Sequence, residues 1–115
     1  LLKQADIDAI AFVIKNHEAF KNVSKSELPV DMLMSGCLYD ADKFRWGPDN
    51  FTHTVWDMVE IAPPPLSKFV YLYPRALDFI AGIKTTFRTP VGRQYGPQFI
   101  DTGLAIGREL LEWLR

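Results

Sequence analysis

The residues best suited to chemistry fall in two short stretches in the first half of this 115-residue chain. His17 is the first of them. On a helical wheel it lies inside an apolar stripe, between Ile10 and Val13, and a helix rarely aims an imidazole at its core without a partner. Two roles suit it: a core histidine bonded to a carbonyl or carboxylate of a neighbouring helix, or a metal-binding or proton-transfer group lining a polar pocket between helices. The second stretch is Leu38-Tyr39-Asp40-Ala41-Asp42-Lys43-Phe44-Arg45-Trp46, where two acids and two bases crowd the end of an otherwise apolar segment. At about 100° per residue Asp40 and Asp42 point about 200° apart, so a regular helix gives at most one of them to a single ion. Lys43 and Arg45 suit a phosphate, Arg as a bidentate donor and Lys as a point charge, and equally suit the negative end of a helix dipole. Trp46, beside Arg45, could wall a pocket for a base or ring.

Other candidates are thinner. His53 and Asp57 stand four apart, the spacing of a chelating pair and also of an exposed helical ion pair. Gly92 with Gly96, and Gly103 with Gly107, offer small residues where helices could approach closely. There is no Gly-rich phosphate loop, no Cys-x-x-Cys pair and no recognisable Ser-His-Asp arrangement. Residues 1–61 carry ten acids and six bases, whereas residues 62–115 carry four acids and seven bases scattered singly, so no stripe for nucleic acid is expected. Cys37, the only cysteine, excludes a disulfide framework and suits a reducing, cytoplasmic setting. No apolar run reaches the length of a membrane span.

The elements that must position these residues read as helices throughout. Ile7, Ile10, Ala11, Val13, Ile14 and Phe20 recur at helical steps over 7–20, with Phe12 on the opposite side. Pro29 and Asp31 suit a helix start, and a second helix runs to about Arg45 with Val30, Leu33, Met34, Cys37, Leu38, Ala41 and Phe44 as its core stripe. Gly47-Pro48-Asp49-Asn50 breaks it, and Phe51, Val55, Met58 and Val59 mark a short third helix ended by Pro63 to Pro65. Residues 66–87 favour helix cut or kinked at Pro74, and Thr89-Pro90 opens a last helix bent at Gly96-Pro97. The expectation is one all-α domain over residues 1–115, a compact bundle of about five to six helices.

The run Ile7, Ile10, Ile14, His17, followed by a variable loop and Asp40-Ala41-Asp42-Lys43-Phe44, resembles the latter half of the HD-domain metal-dependent phosphohydrolases. The tail is similar too: a helical hairpin leads to a closing helix opened by Thr89-Pro90-Val91-Gly92-Arg93 in the pattern Thr-x-x-Gly-Arg. The resemblance implies that Asp42 is a metal ligand and that His17 serves a second metal or the substrate. It implies a divalent ion (Mn, Fe, Mg, Ni or Zn) that lowers the pKa of bound water for hydrolysis of a phosphate ester, with Lys43 and Arg45 on substrate phosphate.

In that family a first His and the His-Asp pair precede the helix that His17 ends, and this chain has no His-Asp dipeptide. An ion needs about four to six ligands, so Asp42 and His17 alone leave it to water and buffer. The expectation is therefore a piece, opening on Leu1 without a Met, inert alone and active only with a missing amino-terminal segment or a partner subunit. The alternative is a non-catalytic helical module for a partner or a homodimer. The reading frame upstream of Leu1 is expected to encode a His and then a His-Asp pair within a few tens of residues; sequencing that finds a start codon directly before Leu1 overturns it.

Overall fold

A computed structural model describes all 115 residues as five α-helices with no strand: α1 (Gln4–Lys15), α2 (Pro29–Phe44), α3 (Val55–Ile61), α4 (Leu66–Ile83) and α5 (Pro90–Leu114). The all-α expectation holds, and no helix is long and apolar enough to cross a membrane. Pro29 sits in the first turn of α2, where its missing amide has no role, and Asp31 faces the positive end of the dipole. Thr89 caps α5 by accepting from the Gly92 amide at 2.9 Å.

The core lies between α4 and α5. Tyr73, Leu77, Ile80 and Ile83 of α4 meet Ile100, Leu104 and Leu111 of α5, with Phe51 and Phe87 closing the ends. Burial raises the Tyr73 pKa above its ordinary value, because the phenolate would lose hydration. Phe51 reaches this core from one π-helical turn, Asn50–Thr54, that precedes α3. The wider turn leaves the Phe51 carbonyl to accept from Trp56 Nε1 at 2.7 Å. The glycines of α5 act as close-packing positions: a Cβ on Gly103 would stand 2.6 Å from the Gly47 backbone, and one on Gly107 would meet the Phe51 ring.

Three expectations need correction. Pro74 lies inside an unbroken helix, so the segment is not cut there, and Pro97 lies within the continuous α5; packing of α4 against α5 holds the helical path across each lost amide. The first helix ends at Lys15 and not at Phe20, so His17 stands beyond its terminus. Phe20 turns the following loop at φ 61°, a left-handed strain on the order of 1 kcal/mol, and sets its ring edge-on to Phe79 at 5.5 Å.

The third correction concerns which faces are covered. On α1 the covered side carries Ala9, Phe12 and Val13, while Ile7, Ile10 and Ile14 are exposed. On α2 the buried residues are Ser35, Gly36, Tyr39, Asp40 and Lys43, whereas Val30, Leu33, Met34, Cys37 and Leu38 are exposed. Of the expected α2 stripe only Phe44 turns inward, against Phe87 and Phe99. On the inner side of α2, Tyr39, Asp40 and Lys43 have partners, described below, whereas the Ser35 hydroxyl has none.

Gly103→Ala is expected to destabilise the protein by about 2 kcal/mol, since the added methyl meets backbone that cannot swing away. A urea unfolding midpoint equal to that of the parent contradicts this close approach.

Candidate functional site

Asp40 and Asp42 go to opposite sides of α2, as their spacing requires, and do different things. Asp40 is 4% exposed. Its carboxylate accepts the Arg88 and Thr89 amides, each at 2.8 Å, and the Thr89 hydroxyl at 2.6 Å. Gly92 admits it, because a Cβ there would overlap the carboxylate. Arg88 completes this junction: its guanidinium lies 3.6 Å from the centre of the Tyr39 ring and donates to the Asn16 carbonyl at 2.7 Å. Burial lowers the Arg88 pKa, with Tyr39 and then Asp40 opposing the shift. Tyr39 in turn donates to Thr86 Oγ1 at 2.7 Å. These are structural contacts that join α1, α2 and α5.

Asp42 turns the other way, into a cleft of about 310 Å³ walled by His17, Glu18, Asp42, Lys43, Arg45 and Trp46, with Phe79 from α4 behind them. The four residues expected at a site, His17, Asp42, Lys43 and Arg45, are thus brought together by the C-terminal end of α2 and the loop after α1. Lys43 makes the connection. Its ammonium is buried and donates to the His17 carbonyl at 2.8 Å and to Asp42 Oδ2 at 2.5 Å. Arg45 Nε pairs with Asp42 Oδ1 at 3.3 Å, and the guanidinium stacks 4.7 Å from the centre of the Trp46 ring. Arg45 is the more exposed cation, with over half of its side chain open to solvent. His17 is half-buried, and its Nδ1 bonds back to the Ile14 carbonyl. That contact defines His17 as a donor at Nδ1 and leaves Nε2 as the nitrogen able to accept or ligate.

A divalent ion does not fit these residues by themselves. Both Asp42 oxygens already face cations, and no three His, Cys, Asp or Glu side chains converge anywhere. His17 and Asp42 are two donors where four or more are required. His53 and Asp57 form no pair; His53 instead bonds Thr52 and faces Asp49 at 3.7 Å, both on the exposed surface.

Sequence reasoning did not bring Glu18 or Phe79 into this cleft. Glu18 could have been found from its adjacency to His17, whereas Phe79 arrives from α4 with no local signal. A larger cavity of about 430 Å³ lies between α4 and the π-helical turn and is walled mainly by apolar side chains, including Trp46, Phe51 and Phe69. Of the candidate residues it holds only Trp46, which walls both spaces.

Asp40→Ala is expected to cost about 2–4 kcal/mol, because it strands two amides and a hydroxyl inside the junction. Arg45→Ala, at an exposed pair, should change stability by less than about 1 kcal/mol. Denaturant titration of both variants checks the order, and equal midpoints would contradict a structural role for Asp40. Comparison with known proteins gave no match, neither to a family model nor to a curated protein nor to a solved structure.

Proposed function

We propose that the cleft at the end of α2 is one wall of a phosphate-ester site in an HD-type metal-dependent phosphohydrolase-like protein. The observation that carries this reading is the convergence of His17 and Asp42 on one cleft, although they come from separate elements. In this reading Asp42 and the free Nε2 of His17 are donors to a divalent ion. Arg45, held on Trp46 and exposed, meets the substrate phosphate. Lys43 sets the loop that carries His17 against the end of α2 and balances Asp42. The further ligands come from polypeptide outside these 115 residues, an upstream segment or a partner subunit in the same reducing, cytoplasmic setting. The 115 residues alone are then inert toward phosphate esters.

A non-catalytic interaction module is the second reading, favoured by the exposed apolar sides of α1 and α2. Elemental analysis after dialysis separates the two. The chain alone should retain far less than one equivalent of Mn, Fe, Mg, Ni or Zn. The same chain joined to its upstream polypeptide should retain about one equivalent or more and lose it on Asp42→Ala. Near one equivalent on the chain alone, or metal in the longer protein that is indifferent to Asp42→Ala, overturns the proposal. A longer protein that stays metal-free selects the interaction module.

A further inference from the structure

The molecule exposes 8062 Å², whereas a compact monomer of 13.1 kDa exposes about 6,400 Å². Its radius of gyration is 16.7 Å against about 13 Å for a compact chain of this length. The excess, about 1,700 Å², falls within the roughly 1,000–2,500 Å² that each subunit buries in a permanent homodimer. Six of the exposed large apolar side chains lie on two stripes. The first is Ile7, Ile10 and Ile14 of α1, and the second runs along α2 through Val30, Leu33 and Leu38. By helical phase no acid or base falls within either stripe.

From this geometry we infer that a second copy of the chain closes these stripes. A two-fold pairing sets the α1 stripe of one copy on the α2 stripe of the other, and the reverse, so one kind of contact covers all four stripes. Because both stripes are uncharged, no like charges meet within the contact between them. The four helices then share an apolar interior as in a bundle. α1, which packs on α2 and has no buried residue of its own in the single chain, gains a second support. This inference is independent of the cleft and of any metal.

Sedimentation of the purified protein at tens of micromolar should give twice the 13.1 kDa chain mass. The Cys37 thiol, exposed on the single chain, should be slow to react with a maleimide. Ile10→Asp and Leu33→Asp should each weaken association by about 100-fold or more and expose Cys37. Tyr71→Asp, at an exposed position on α4, should do neither. Ile10→Cys should form an intersubunit disulfide with Cys37 under mild oxidation, a readout that does not depend on how well the Asp variants fold. A species of one chain mass, bare or carrying a different polypeptide on these stripes, overturns the inference. A dimer in which Cys37 reacts freely overturns it as well.

Discussion

One buried carboxylate holds the helices in register. Asp40 takes the first amides before α5 and the hydroxyl that caps it, so the start of the longest helix is fastened to the middle of α2. The same stretch of chain carries Arg88, whose guanidinium covers Tyr39 and reaches the Asn16 carbonyl at the end of α1. A carboxylate in that position is stabilised because each buried oxygen has donors and a guanidinium stands nearby. Three elements distant in sequence are therefore set by a few polar groups, while the apolar core between α4 and α5 supplies the bulk of the packing.

The candidate cleft is a consequence of that anchoring. Once Asp40 faces α5, helical geometry turns Asp42 to the other side of α2, toward the loop after α1. The Lys43 ammonium, buried over the Tyr39 ring with Asp42 and the His17 carbonyl as its hydrogen-bond acceptors, then fixes the loop against the helix end. Removing an ordinary surface pair would matter little, but here the ammonium is withdrawn from water and its two acceptors define where His17 stands. The arrangement is compatible with one wall of a phosphate-ester site and is short of the donors a metal centre requires.

The helices were legible where local chemistry decides them. Pro29 at the start of α2, the Thr89-Pro90 cap, the Gly47-Pro48 break and the run Pro63 to Pro65 all act within one turn of chain, and each marks a boundary that is present. The cut admitted at Pro74 does not occur, because burial of α4 against α5 offsets a proline's local penalty. The π-helical turn at Asn50–Thr54 had no signature, since it depends on Phe51 entering a core formed by α4 and α5. In the site, the opposed directions of Asp40 and Asp42 followed from spacing alone. Their roles did not, because nothing local says which of two carboxylates finds buried amides.

By itself the sequence determined that the chain is helical, where most helices start and stop, and which side of each helix is apolar. Periodicity and capping are properties of neighbouring residues, so they survive without knowledge of the fold. Only the tertiary structure decided which side is covered. Along α2 the polar side turned inward because Tyr39, Asp40 and Lys43 find partners in the loop after α1 and around the start of α5, up to 49 residues away, while Ser35 is buried without a hydrogen-bond partner. Apolar residues lose little by remaining exposed compared with a buried carboxylate left without donors. The polar network therefore sets the orientation, and it leaves the isoleucines of α1 and the apolar stripe of α2 facing outward.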